Sequence, residues 1–170
     1  TMSVAATIIA RVVDRLRSID GAAHTFTLFG QSVSHTYAFD LTDADRVVQG
    51  LAGAAVPPPY TNVYHRVTPG DDGSNLCKTQ WSLTLWVDGV ASIADMLSST
   101  EHTAALDLAN DIVVAVMADR QATTAGSLRT LGVDGIRPSV DQIYGSDEGI
   151  DITACRVTFE ITYQTTGIGL

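Results

Sequence analysis

Two stretches of the chain alternate between apolar and polar residues over long runs, at residues 78–90 and 153–163. Their apolar sides carry Trp81, Leu83, Leu85, Val87, Cys155, Val157, Phe159, Ile161 and Tyr163. Alternation with a period of two residues is typical of half-buried strands in an antiparallel sheet. The pattern therefore predicts two long strands, and we expect their apolar residues to lie on one buried face.

Two amphipathic helices are predicted, one before the first long strand and one after it. Ser3 is the expected N-cap of the first, residues 4–18, and Ser98 begins a capping box before the second. The apolar stripes are Ala5, Ile8, Ile9, Val12, Val13, Leu16 and Ile19 in the first helix and Ala105, Leu108, Ala109, Ile112, Val113 and Val116 in the second. The polar residues expected to face outward are Arg11, Asp14, Arg15, Arg17, Asp107, Asn110, Asp111 and Asp119.

Weaker patterns complete the predicted fold. They are a hairpin at residues 24–40, a short helical turn at 42–53, a proline connector at 57–59, a strand at 62–68 and extended segments at 127–131 and 136–143. The order of elements predicts a single domain over residues 1–170 of the α+β class. It consists of an antiparallel β-sheet with two α-helices packed on one face, and residues 22–58 add an extra hairpin or insertion in the N-terminal half.

The composition indicates a folded, acidic protein. Hydrophobic residues make up 45% of the 170 residues, and the net charge is −9. This charge opposes duplex binding through a basic patch, which needs clustered Lys and Arg. The start of the chain has no signal region, and no apolar run reaches membrane-spanning length, so we expect synthesis and folding in a cytosol. Cys155 is predicted to be a free, buried thiol; a disulfide with Cys77 is the less favoured alternative.

Motifs that carry chemistry are missing from the sequence. It contains no GxGxxG, Walker, GxSxG or HExxH pattern, and its four histidines are scattered. Residues 40–45 and the pair Asp71 and Asp72 lack the spacing of a calcium loop. Asp147 and Glu148 are adjacent in a turn, where their side chains diverge rather than act as an acid and a base. We therefore predict no enzymatic activity, no metal and no cofactor.

The two tryptophans occupy opposite sides of the first long strand, because an odd number of positions separates them. Trp81 belongs to the apolar side and is predicted to join the core. Trp86 belongs to the polar side, where it is either covered by another element or used at an interface, and we favour the interface.

The order of the elements resembles the tail terminator, or tail completion, proteins of long-tailed bacteriophages. The resemblance rests on an N-terminal amphipathic helix, the strand at 80–87, the helix at 104–113 and the closing strand at 156–163. It covers residues 2–19 and 60–165, whereas residues 22–58 are longer and more strand-like than that family's pattern. It implies helices packed on an antiparallel sheet, a sixfold ring without catalysis, and a place in the virion tail or neck after assembly in the host cytoplasm.

The resemblance also implies the partners. The ring would sit on the last layer of the tail tube, stop its polymerisation and join it to the head connector or neck protein. From the net charge of −9 per subunit, we expect the lumen of such a ring to be richer in Asp and Glu than in Arg, so that DNA passes through without specific binding. We expect loops to make the axial contacts, within residues 69–76 and 121–149. The candidate interface residues are Trp86, Asp71, Asp72, Asn75, Arg120, Arg129, Arg137, Asp147 and Glu148.

Two other classes of function stay open. The chain could be a different phage structural protein, such as a tail-tube or head-closure component. It could also be a small ligand-binding or enzymatic domain, which would need a concave pocket with convergent polar groups.

Overall fold

The described residues of the computed structural model form two helices and five strands. The residues that it describes are 2–20, 36–38, 60–70, 78–92, 101–143 and 152–166. In chain order the elements are α1 (Val4–Arg17), β1 (Thr36–Ala38), β2 (Tyr60–Pro69), β3 (Lys78–Ser92), α2 (Glu101–Gln121), β4 (Val133–Ile143) and β5 (Ile152–Thr166).

The strands form one sheet in the order β1-β2-β3-β5-β4. The pairs β2–β3, β3–β5 and β5–β4 are antiparallel, whereas β1 runs parallel to β2. The two long strands predicted from the alternating pattern lie side by side at the centre, paired from Lys78 opposite Thr166 to Ser92 opposite Ile152. The predicted α+β class is confirmed.

Both helices lie on the same face of the sheet, and the core forms between the two layers. Helix α1 contacts α2 and β2, and α2 contacts β3, β5 and β4. The fully buried residues include Ile8, Val12, Leu16, Leu83, Leu85, Leu108, Ile112, Val116, Val157, Phe159, Ile161 and Tyr163. These are the residues predicted to form the core. Trp81 is partly buried against them, and its indole N–H donates to Thr165 Oγ1 at 3.1 Å.

Helix α1 begins where its capping chemistry predicts. The hydroxyl of Ser3 accepts a hydrogen bond from the Ala6 N–H at 3.2 Å, which satisfies one of the free donors in the first turn. Arg15 and Arg17 lie in the last turn, where positive charge is favourable.

Two predictions about the second half of the chain are wrong. Residues 127–131 form turns instead of an extended segment, because the Leu128 N–H and the Ser127 hydroxyl bond back toward the end of α2. Asp111 and Asp119 are buried instead of facing outward, because α2 is covered by α1 as well as by the sheet.

Several predictions lie outside the described residues. They are the hairpin at 24–40 apart from Thr36–Ala38, the helical turn at 42–53, the proline connector at 57–59 and the Ser98 capping box.

Gly89 allows α2 to approach the sheet closely. A Cβ at this position would lie 2.9 Å from Leu108 Cδ2, 3.0 Å from Ile112 Cδ1 and 3.1 Å from Cys155 Sγ. Because these neighbours are fully buried, they have little room to move.

We expect Gly89→Val to lower the free energy of unfolding by about 1–3 kcal/mol through overpacking, and Gly89→Ala to lower it by less. Urea unfolding of the two variants and the wild type measures both values. Equal stability of Gly89→Val and wild type would show that α2 does not pack this tightly against β3.

Candidate assembly surfaces

A groove of about 580 Å³ runs between α1 and β2 on one flank of the helical layer. Its lining is mainly small and apolar, and its polar residues include Asp14, Arg17 and His65. The residues that line it are Ser3, Ala5, Ala6, Ile9, Ala10, Val13, Asp14, Arg17, His65 and Val67. We call this surface the α1–β2 groove.

The helical period explains why this flank of α1 is apolar. Successive residues lie about 100° apart around a helix. Ile9 and Val13 follow the buried Ile8 and Val12 by one position, so they lie beside the core stripe instead of within it. Arg11 and Arg15 come one position before the buried Val12 and Leu16, so they lie on the other side of the core stripe, toward Asp119 of α2. Helix α1 thus has one flank bonded to α2 and one apolar flank that lines the groove.

A second apolar surface lies on the opposite flank, where α2 meets β4. Leu106, Val114 and Val140 are 47%, 44% and 42% exposed, and with Met2 they are the exposed large hydrophobic residues in the described part of the chain. Half-buried apolar side chains at Val113, Met117 and Ile136 extend the same area. Met2 lies at the start of the chain and is not included. We call the α2–β4 surface the area formed by Leu106, Val113, Val114, Met117, Ile136 and Val140.

The strand register places β4's part of this surface on the helical side of the sheet. Ile136 lies opposite Ile161, and Val140 lies opposite Val157. Both partners belong to the core beneath the helices. Since residues two apart on a strand share a face, Ile136 and Val140 lie on the same side as α2.

Two arginines stand at one end of the α2–β4 surface. Arg120 and Arg129 line a cavity of about 460 Å³ together with Met117, Gln121, Gly135 and Ile136. Arg120 Nη2 donates to the Asp134 carbonyl at 3.0 Å, and Arg129 is exposed. The structure thus brings together two of the three predicted arginines. Arg137 lies opposite the exposed Glu160 on the other face of the sheet.

The outer edge of β4 is unsuited to pairing with another strand. Pro138 lies in the middle of this strand and has no N–H to offer, and the register is irregular between Val133 and Gly135. Prolines and bulges on edge strands block the addition of further strands. A partner on this flank therefore meets side chains instead of a free backbone edge.

The sheet face away from the helices contains a buried ion pair. Arg156 Nε and Nη2 donate to the two carboxylate oxygens of Asp88 at 2.6 and 2.8 Å. Asp88 is fully buried, and Arg156 is nearly so. Loss of water raises the pKa of the Asp88 carboxyl, although the bonds from Arg156 oppose this shift. The bidentate geometry links the two central strands.

Trp86 lies on this same face, beside the ion pair in the strand register. The residue is 6% exposed in the single chain, so it is buried within the subunit. This burial supports the first of the two alternatives, cover by the subunit itself, and corrects the preference for Trp86 as an interface residue. The alternating pattern gives the face of a residue, but it does not show what covers that face.

Asp119 is a buried carboxylate that joins three parts of the chain. Arg11 on α1 donates to it through Nε at 3.0 Å and through Nη2 at 2.5 Å, and Arg15 Nε lies 3.9 Å away. The Leu128 N–H, in the turns after α2, donates to it at 2.9 Å. Asp119 is 3% exposed. Burial by itself raises its pKa, but the bonds from Arg11 and Leu128 and the positive charges lower the pKa below the usual value.

The lowered pKa makes stability depend on pH in a defined direction. A carboxyl whose folded-state pKa is depressed contributes stability above its unfolded value, about 3.9 for Asp, and loses it as the pH falls through the folded value. We expect the free energy of unfolding of the wild type to fall below about pH 4 more steeply than that of Asp119→Asn. At neutral pH this variant is expected to lose about 1–3 kcal/mol.

Asp107→Asn is the matched control for this prediction, because Asp107 is a partly exposed carboxylate on the same helix. Urea unfolding at several pH values compares the variants. Identical pH profiles for Asp119→Asn and the wild type would contradict the role of Asp119.

Other candidate chemistry is limited in the described part of the chain. There, no group of three His, Cys, Asp or Glu residues is placed to hold a metal ion. Cys155 is a free and fully buried thiol, and burial raises its pKa to about 12, as expected for a packing residue. No helix among the described residues has the length and apolarity needed to cross a membrane. Cys77 and the candidates Asp71, Asp72, Asn75, Asp147 and Glu148 lie outside the described residues.

No family model matches the chain, and no curated protein matches it.

Proposed function

We propose that this chain is a structural subunit of a bacteriophage virion. It forms a ring that caps the tail tube, ends the polymerisation of the tube and joins the tail to the head connector. The observation that carries this proposal is the presence of two different apolar surfaces, the α1–β2 groove and the α2–β4 surface, on opposite flanks of one helical layer.

Unlike surfaces on opposite flanks favour head-to-tail association. A twofold dimer uses the same patch on both subunits, whereas two different patches link each subunit to a next one. Such a chain of contacts closes into a ring when the rotation per subunit divides a full turn. The exposed side chains of Leu106, Val114 and Val140 support an assembling protein, because exposed apolar patches mark interaction sites.

The fold supports the same proposal. The tail terminator resemblance implies helices packed on an antiparallel sheet, and the described residues have two helices on one face of a largely antiparallel sheet. The ring's partners in this proposal are the tail tube protein and the connector, and the ring resides in the tail or neck of the virion. With a net charge of −9 per subunit, the ring is not expected to hold the DNA that passes through it.

A tube-growth assay tests the function. Tail tube subunits of the same virus are allowed to polymerise with increasing amounts of this protein, and tube lengths are measured by electron microscopy. A terminator is expected to shorten the tubes and to appear as a ring at one end. Tubes of unchanged length, or long tubes formed by this protein alone, would refute the terminator role, and the second result would identify a tube protein instead.

A further inference from the structure

We propose a specific register for the contact between neighbouring copies in the ring. The α1–β2 groove of one copy receives the α2–β4 surface of the next, α1 runs parallel to the neighbour's α2, and Asp14 pairs with the neighbour's Arg129. This inference rests on the proposed ring, and it adds which residues meet and in which direction.

The two surfaces are complementary in size. The groove is concave, and Ala6 and Ala10 leave room along α1. The opposite flank carries the large side chains Leu106, Met117 and Val140. Large side chains that fill a recess lined by small ones give the close packing of a stable interface. The groove therefore provides the recess, and the α2–β4 surface provides the large side chains that fill it.

The order of apolar and charged positions fixes the direction. On α2 the apolar run Leu106, Val113 and Met117 is followed by the cavity with Arg120 and Arg129. On α1 the apolar run Ala6, Ile9, Ala10 and Val13 is followed by Asp14. Along both helices the charged positions follow the apolar run in the N-to-C direction. A parallel arrangement therefore places the two apolar runs side by side and brings Asp14 toward the end of α2 that carries Arg120 and Arg129.

Asp14 and Arg129 are the charges most available for this pairing. Both side chains are exposed. Arg120 already donates to the Asp134 carbonyl, and Arg17 at the groove has an interaction within its own subunit. An antiparallel arrangement would instead place Asp14 beside the apolar end at Leu106, which would desolvate a carboxylate without a partner.

The edge of β4 excludes a simpler contact. Because Pro138 and the irregular register near Gly135 interrupt the edge, a continuous sheet across two copies is disfavoured. Side-chain packing beside the edge is the contact that remains on this flank.

Charge reversal tests the register. Ring formation by the full chain is followed against concentration by mass photometry for Asp14→Arg, Arg129→Glu and the double variant. We expect each single reversal to raise the concentration needed for half-maximal ring formation about tenfold or more, because like charges then meet. In the double variant the pair is restored with reversed sign, and we expect recovery to within about threefold of wild type.

Arg66→Glu is the matched control, because it makes the same change at an exposed arginine on β2, on the sheet face away from the helices. Circular dichroism checks that every variant is folded. Single variants that assemble like Arg66→Glu, or a double variant that does not recover, would overturn the register while leaving the ring in place. A wild-type chain that forms no rings would instead overturn the proposed function and, with it, this contact.

Discussion

Phe159→Ala is expected to lower the free energy of unfolding by about 3–5 kcal/mol, a large part of the stability of an ordinary domain. Phe159 is fully buried on the central strand β5, opposite Leu85 of β3 and Pro138 of β4. Its ring belongs to the core cluster that includes residues of both helices. Truncation removes buried apolar area and leaves a cavity that a close-packed core fills only in part.

Urea unfolding, followed by circular dichroism, measures this loss. Thr158→Ala is the matched control, because Thr158 is the preceding residue of the same strand, lies on the opposite face and is only partly buried. We expect this control to change the stability by less than about 1 kcal/mol. A free energy of unfolding of Phe159→Ala equal to that of the wild type would show that the two faces of β5 are reversed.

Asp88→Ala is expected to cost about 3–5 kcal/mol, because it leaves the Arg156 guanidinium buried without its carboxylate. Replacing both residues, as Asp88→Leu with Arg156→Met, is expected to recover most of this loss, since a buried pair often adds little over well-packed apolar residues. The double variant therefore separates the cost of burying the guanidinium without Asp88 from the contribution of the pair itself.

Asp141→Ala is the control for Asp88→Ala. Asp141 lies opposite Arg156 on the other neighbouring strand, but it is exposed, so its removal is expected to cost less than about 1 kcal/mol. Urea unfolding of all four chains provides the comparison. A loss for Asp88→Ala as small as that for Asp141→Ala would show that water reaches the Arg156 guanidinium in the folded chain.

The parts of the fold that could be predicted are those in which one physical rule dominates. Alternation over residues 78–90 and 153–163 predicted both central strands and their buried face. A strand that buries one of its two faces must have an apolar residue at every second position. Helix α1 followed from its Ser3 cap and its apolar stripe. Each of these signals lies within a single element.

The missed features depend on contacts between elements. Asp119 is polar, so the helical pattern assigned it to the surface, yet α1 covers that side of α2 and supplies Arg11. Arg11 and Arg15, one turn apart on α1, were the signal that a carboxylate could face them. The turn at residues 127–131 was missed for the same reason, since the Asp119 carboxylate holds it from α2.

The candidate site was predictable only in part. Arg120 and Arg129 are nine positions apart in the sequence and share a cavity because the chain turns back after α2. No local sequence pattern predicts that these two side chains line the same cavity. The separation of Arg137 from them was predictable, because Arg137 alternates with Ile136 and therefore lies on the other face of its strand.

Electron microscopy of the purified chain tests the central claim, ring formation, most directly. Negatively stained particles are classified at several protein concentrations, and mass photometry of the same samples counts the subunits. We predict closed rings of uniform size, with six subunits. Monomers at every concentration, twofold dimers, or filaments of unlimited length would contradict the claim that the two flanks of the helical layer close this chain into a ring.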